Sequence, residues 1–291
     1  MAECPDNASA LRFFEKCRWP DGVVCPFCES GRTSPIASRL RHRCLDCRRQ
    51  FSVRTDSVFA DTNLPLHKWL YAMYFHVTSR KGISSYALAK HLDITQKSAW
   101  FLLHRLREAM AVERPKLTGV VEVDETYIGG IEGNKHANKK IKSGRGPVGK
   151  QAVIGFRQRG GSILAFPIGP RRDVAAVTTM VRGTVAEGAS VYTDEASWYD
   201  RLEEYYRHRF VRHSKGHYVS DDVYTNGIES VWAIVKRAHK GIYHHWHPKN
   251  TQRYMDEIAF RLNEKGTTME TLSAIVRGAV GKRLSYKDLI K

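Results

Sequence analysis

Val120-Val121-Glu122-Val123-Asp124-Glu125-Thr126-Tyr127-Ile128-Gly129-Gly130 is a run of β-branched residues interrupted by acids, and it reads as a buried strand that carries a carboxylate inward. An Asp among such residues is costly to bury unless it is paired or faces a cation. Downstream, after a basic loop, Gly149-Lys-Gln-Ala-Val-Ile-Gly-Phe-Arg and Ser162-Ile-Leu-Ala-Phe-Pro-Ile read as two strands joined through Gly160-Gly161, a hairpin signature. A helix is expected near Asp173-Val-Ala-Ala-Val-Thr-Thr-Met-Val. Ala189-Ser-Val-Tyr-Thr-Asp194-Glu195 then repeats the pattern of a short apolar strand ending in acid.

The order strand (Asp), strand, strand, helix, strand (Asp) is that of a ribonuclease-H-like α/β core, in which the first and fourth strands lie side by side. Two carboxylates brought to about 4 Å would repel unless divalent cations sat between them. A third acid is expected from a following helix, Thr225-Asn226-Gly-Ile-Glu229-Ser-Val-Trp232-Ala-Ile-Val-Lys236-Arg237. Glu229 and Lys236 are seven residues apart and share a helix face. Glu229 can complete a metal pair and Lys236 can hold a DNA phosphate. The same residues admit a plainer reading, since Asn226 and Glu229 have capping-box spacing and exposed Glu and Lys are usually only solvated.

Upstream, Cys25-Pro-Phe-Cys28 and Cys44-Leu-Asp-Cys47 are two CxxC knuckles fifteen residues apart. Two thiolate pairs at that separation can close a tetrahedral Zn²⁺ site, and the metal would supply much of the folding free energy of so small a module. A redox pair would need only one CxxC inside a βαβ pattern, which is absent. Cys4 and Cys17 fall outside the spacing and are expected as free thiols. Between ribbon and α/β core, Gly82-Ile-Ser-Ser-Tyr-Ala-Leu-Ala-Lys-His-Leu-Asp-Ile-Thr-Gln and its continuation to Met110 predict two helices, one capped by Ser84 or Ser85 and one by Thr95. This is either a helix-turn-helix or an ordinary helical hairpin. In the first reading Gln96, Lys97 and Ser98 meet bases, Arg105 lies on the DNA side, and Ala99, Leu102, Leu103 and Leu106 face the core.

The formal net charge of +17 over 291 residues implies an anionic partner, usually nucleic acid. The acid-free loop from Asn134 to Gly146, with Lys135, Lys139, Lys140, Lys142 and Arg145, is expected to track phosphates. No apolar run approaches a bilayer-spanning length and no signal peptide is indicated, so a reducing cytosolic setting is expected. The organisation expected is multidomain: a zinc ribbon over 1–55, a helix-turn-helix segment over 56–115, a ribonuclease-H-like domain over 116–265 and a helical tail over 266–291.

Together the motifs CPFC, CLDC, VEVDETYIGG, YTDE, TNGIES and VWAIVKR, in that order, resemble the zinc-ribbon DDE transposases of bacterial insertion sequences, the IS-fifteen-ninety-five group with its ISXO-two-like catalytic domain. The resemblance runs from about Asp6 to Asn263. It implies Asp124, Asp194 and Glu229 as the catalytic triad and Mg²⁺ ligands, followed by Lys236, with Asn226 as the alternative third residue. It also implies a histidine ahead of the Thr-Asn pair, where this chain has Tyr224, leaving His213 and His217 for that role. The implied activity is two-metal cleavage and strand transfer at terminal repeats, with two Mg²⁺ or Mn²⁺, double-stranded DNA as partner and a dimer or larger assembly on it. The rival readings are an inert DNA-binding regulator and a purely hydrolytic nuclease of the same fold.

Overall fold

The computed structural model describes residues 6–79, 81–111, 113–130, 132–136, 138, 140–141, 147–169, 173–211 and 224–291. It divides into two units, Met1–Val112 with Glu264–Lys291, and Glu113–Asn263. The first unit opens with α1 (Asn7–Arg18), started by a capping box in which Asp6 accepts from the Ser9 amide at 2.8 Å. Next come β1 (Thr33–Ile36), β2 (Arg41–Cys44) and β3 (Gln50–Phe51), an antiparallel sheet. Along β2 the side chains alternate. Arg41 and Arg43 are exposed, while His42 turns in to stack on Phe51, with ring centroids 5.7 Å apart, and meets Glu15 at 2.5 Å.

Helices α2 (Leu66–Thr78), α3 (Ser85–Leu92) and α4 (Gln96–Met110) follow. Ser84 caps α3 by accepting from Ala87, Asp93 takes a left-handed φ of 48°, and Thr95 caps α4 by accepting from Ser98. Ala99, Leu102, Leu103 and Leu106 are buried, as helical spacing requires. Phe14, Phe59 and Trp69 join them in an edge-to-face chain with centroids 5.0 and 5.2 Å apart.

The second unit is built on β4 (Val120–Ile128), β5 (Gln151–Gln158), β6 (Ile163–Pro167), β7 (Ser190–Thr193) and β8 (Arg207–Phe210), with α5 (Val174–Thr184) between β6 and β7. The sheet order is β6-β5-β4-β7-β8. β4, β5 and β6 run antiparallel, whereas β4–β7 and β7–β8 are parallel. One face packs on α5, with Val121, Val123, Ile154 and Phe156 in its core. The other packs on α6 (Asn226–Ala238) and α7 (Thr251–Asn263), with Ile128, Val153 and Ile163 in its core. α6 buries Ile228, Val231, Trp232, Val235 and Ala238, a helical stripe that leaves Glu229 and Lys236 exposed. No helix among the described residues is long and apolar enough to cross a membrane.

The chain ends with α8 (Thr268–Gly278) and α9 (Tyr286–Ile290). These belong to the first unit, where α8 packs on α1, α2 and α4, and Val280 bridges to Ser57.

Gly155 on β5 stands opposite Asp124 on β4. A Cβ there would lie 2.5 Å from the Trp232 ring and 2.9 Å from Ile228, so the bare backbone is what lets α6 lie flat on the sheet. Gly155→Ala should destabilise the protein by about 1–3 kcal/mol. Urea unfolding that moves by less than a few tenths would refute this packing.

Candidate functional site

The four cysteines of the knuckles converge. The sulfur atoms of Cys25, Cys28, Cys44 and Cys47 all lie within 4.8 Å of one another. The Cys25–Cys47 and Cys28–Cys44 pairs are 3.7 and 3.6 Å apart. That is well beyond a disulfide bond, and it matches the edge of about 3.75 Å that a tetrahedron takes when its sulfurs sit ~2.3 Å from a central zinc. The Cys47 amide points at the Cys44 sulfur from 3.5 Å, and this bond leads the pull that brings the Cys44 thiol down to about 6. Among the described residues no other group of three or more ligand-type side chains gathers so closely. Cys17 is buried and bonds Ser273 at 3.3 Å, and Cys4 lies outside the described residues.

In the second unit the parallel pairing of β4 with β7 sets Glu122 opposite Tyr192. The pairing ends there, and Asp194 follows directly after the last residue of β7, near enough for its charge to act on Asp124. Asp124 faces α6, where its Oδ2 accepts from the Trp232 indole at 2.9 Å. Burial first, then the charges of Glu125 and Asp194, push its carboxyl up to about 7. Asp194 Oδ1 accepts from the Ala196 amide at 3.1 Å. Asp194 also lines a cavity of about 210 Å³ together with Glu195, Tyr199, Asp200, Glu203 and His208. The donor chemistry fits a hard divalent cation: carboxylate oxygens in a partly buried setting whose unanswered charges raise one another's proton affinity.

Glu229 stands on the first turn of α6, exposed, with Thr225 Oγ1 donating to it at 3.4 Å. It is not drawn into one ligand cluster with the two aspartates. The capping box does not form, because Asn226 is already the first helical residue and the cap position falls on Thr225, which makes no side-chain cap bond. Lys236 is exposed in the last turn of the same helix. Tyr224 lies beneath the Arg159 guanidinium, 3.7 Å from ring centroid to Cζ. His213 and His217 lie outside the described residues.

Several acids and aromatics around Asp124 escaped the sequence reading. Glu125, on the α5 face, accepts from the Tyr199 hydroxyl at 2.6 Å and the Trp198 indole at 3.3 Å. Burial, with Glu125 beside it, holds the Tyr199 phenol well above its ordinary range. Glu122, 1% exposed, bonds Arg159 at 3.1 Å and the Ile228 amide at 2.8 Å. Only the position of Glu122 and Asp124, two apart on one strand face, was available as a signal.

The residues expected at DNA divide. Lys97 is exposed over the Tyr286 ring, Gln96 donates to Ser85 at 2.8 Å, and Ser98 meets the Thr95 hydroxyl at 2.9 Å. Arg105 is a correction. It is 2% exposed, its guanidinium donates to the Ala60 carbonyl and lies 5.3 Å from both the Trp69 and Phe101 rings, and burial brings it down to about 10. A side chain so enclosed is closed to phosphate. Lys135 pairs with Glu132, Lys140 is exposed, and Lys139, Lys142 and Arg145 lie outside the described residues.

Purified protein should contain about one zinc per chain, and Cys44→Ser should lose it along with the ribbon's protease resistance. Elemental analysis showing full zinc in that variant would contradict the site. For Asp124, a folded carboxyl raised from 3.8 to about 7 binds its proton more tightly than the unfolded chain does. Stability therefore falls as pH rises from about 4 to about 7. In zinc-loaded protein free of Mg²⁺ and Mn²⁺, Asp124→Asn should melt above wild type at pH 8, with the gain vanishing near pH 4. A gain independent of pH would show that the carboxyl is not held protonated.

Residues 5–50 match the transposase zinc-ribbon domain and residues 116–263, just over half the chain, match the ISXO2-like transposase domain. An uncharacterised protein in transposable element ISH50 of Halobacterium salinarum is 29% identical over 249 residues, covering 80% of this chain and 84% of that one. Among solved structures, the simian T-cell lymphotropic virus intasome matches at 11% identity and TM-score 0.29, over 66% of this chain and 65% of that chain. The Mos1 strand transfer complex matches at 12% and 0.21, over 65% and 74%. Likeness at such scores adds nothing to the strand order. On the two family matches, the chain belongs to the ISXO2-like transposases and carries their zinc ribbon.

Proposed function

We propose that this transposase cuts and rejoins DNA by metal-dependent phosphoryl transfer in a ribonuclease-H-like domain. Asp124 and Asp194 are its principal carboxylates, Glu229 is the third residue and Asn226 the alternative third. The observation that supports the reading is the parallel pairing of β4 with β7, beside which Asp124 feels the charge of Asp194 while burial first, then Glu125 and Asp194, push its carboxyl up to about 7. Two divalent cations bound there, Mg²⁺ or Mn²⁺, would supply Lewis acidity to the attacking and leaving oxygens.

The protein's part is placement. Trp232 donates to one oxygen of Asp124 and the Ala196 amide to one of Asp194, so each carboxylate is held in a set orientation. Glu229 waits on the exposed first turn of α6, and its approach to the aspartates is a step that DNA binding would bring about. Lys236 on the same helix face would hold a phosphate beside it. In cleavage, a water oxygen bonds to phosphorus as the bond to the 3′-oxygen breaks, and that oxygen leaves as a hydroxyl. In joining, the freed 3′-hydroxyl attacks a target phosphorus in the same in-line sense, its P–O bond forming as the bond from that phosphorus to the target's own 3′-oxygen breaks, and the attacking hydroxyl's proton is passed through solvent to the leaving oxygen.

Recognition of the terminal repeats would fall to the ribbon, with Arg41 and Arg43 on its open face, and to a helix-turn-helix formed by α3 and α4 with Gln96, Lys97 and Ser98 leading. Lys135, Lys139, Lys140, Lys142 and Arg145 would follow the backbone. Two ends cut in concert call for a dimer or larger assembly on double-stranded DNA, working in the cytoplasm at the nucleoid.

Labelled DNA carrying the element's own terminus, incubated with Mn²⁺ or Mg²⁺, should be nicked and joined by the wild type. Both products should drop by at least ~10³-fold in Asp194→Ala. Tight binding without chemistry in the wild type would favour an inert regulator, and nicking without joined products a hydrolytic nuclease.

A further inference from the structure

Glu122 is a carboxylate where a β-branched residue would be the ordinary occupant. It is 1% exposed on β4 and lies on the α6 side of the sheet, two residues before Asp124. Its two oxygens are both engaged. Oε1 takes the Arg159 Nε at 3.1 Å, and Oε2 takes the amide of Ile228, in the first turn of α6, at 2.8 Å. Arg159 continues the contact by donating to the Tyr224 carbonyl at 3.0 Å while its plane covers the Tyr224 ring. Arg157, at the end of β5, donates to the Gly227 carbonyl and to Ser230 at 3.1 Å. A Cβ on Gly227 would run into the Glu122 carboxylate and come within 2.8 Å of Arg157.

The first turn of α6 therefore lacks a cap from its own sequence, since Thr225 makes no side-chain cap bond, and receives one from the sheet. A charged acceptor at a helix N-terminus satisfies an orphan amide and complements the helix dipole. A charge-assisted bond is also roughly twice as strong as a neutral one. The strand that bears Asp124 thus holds, through Glu122, the turn that bears Asn226 and Glu229.

We infer that Glu122, with Arg159, is a positioning residue that sets the first turn of α6, and with it Asn226 and Glu229, against the Asp124 strand. This rests on the catalytic reading of those residues. Glu122 touches no reacting atom. Its carboxylate acts through the helix, and its length is what lets it do so, because a side chain one methylene shorter would fall short of the Ile228 amide.

The test uses the full chain in two variants. Glu122→Gln keeps the volume and an acceptor but removes the charge facing Arg159. The double variant Glu122→Met/Arg159→Met removes the buried carboxylate together with its half-buried partner, which commonly preserves folding. Three quantities are read: melting temperature, hydrogen exchange at residues 226–230, and end cleavage against Mn²⁺ concentration. Both variants should melt near wild type, yet exchange about ten-fold faster at Ile228 and Glu229, with β4 and β5 protected as before. Cleavage should fall by roughly 10- to 100-fold through kcat, as for groups misplaced by about 1 Å, with a higher Mn²⁺ requirement and an unchanged KM for DNA. Wild-type exchange at 226–230 in both variants overturns the inference, as does activity that falls only in step with melting. Should Asp194→Ala cleave like wild type, the catalytic reading fails and so does the positioning of Glu229 for chemistry. Should Asp194→Ala be inert while both Glu122 variants cleave normally, the inference fails alone.

Discussion

Parallel pairing of β4 with β7 is the constraint from which the rest of the second unit follows. Parallel strands point their carboxyl ends the same way, so acids at the ends of two neighbouring strands are brought level rather than opposed. Beyond the Glu122–Tyr192 pair the two strands lead on to Asp124 and Asp194 respectively, and burial first, then the charges of Glu125 and Asp194, push the Asp124 carboxyl up to about 7. Without a cation the pair meets the strain by keeping a proton. With one, the same proximity becomes affinity, because two oxygen donors are already assembled and their repulsion is relieved on binding. Burial that would be a fault in a purely structural strand is therefore the source of what the site can do.

The α6 face of the sheet is arranged around this. Gly155, level with Asp124, removes the side chain that would keep the helix off, and Trp232 fills the space and donates to Asp124. The opposite face of β4 is apolar at Val121 and Val123 and meets α5, with Glu125 held at its end by Tyr199 and Trp198. Both faces give their acids hydrogen-bond donors, as buried carboxylates require.

Much of this was legible in the chain. Val120 to Ile128, the Gly160-Gly161 turn and Ala189 to Thr193 carry β-type patterns strong enough to order the strands, and that order led to adjacent first and fourth strands. The CxxC spacing named the four cysteines that converge, because local turns alone bring each pair together. The caps at Ser84 and Thr95 were equally local. What escaped depends on partners far away in sequence. Arg105 reads as a surface cation on an amphipathic helix, yet the Ala60 carbonyl and the rings of Trp69 and Phe101 enclose it. The helix from Thr268 has no local mark that it belongs with α1, α2 and α4. Glu229 has the spacing of a capping box with Asn226, but the helix starts one residue too early for it.

Glu122 and Asp124 show why roles on the strand could not be read locally. They are acids two apart on one strand face, in one motif, and spacing alone would give them one role. Their surroundings separate them. Glu122 finds a permanent cation in Arg159 and a helix amide in Ile228, so its charge is fully answered and unavailable. Asp124 finds the Trp232 indole and the Glu125 backbone as neutral donors, but burial and two neighbouring acids outweigh them, so its charge is left to be answered by a proton or a metal. Side-chain length reinforces the split. The extra methylene of Glu122 carries its carboxylate across to α6, whereas the short arm of Asp124 keeps its own at the sheet, within reach of the Asp194 charge. An acid answered by a permanent cation can hold structure in place, and one whose neighbours are themselves acids is left for chemistry.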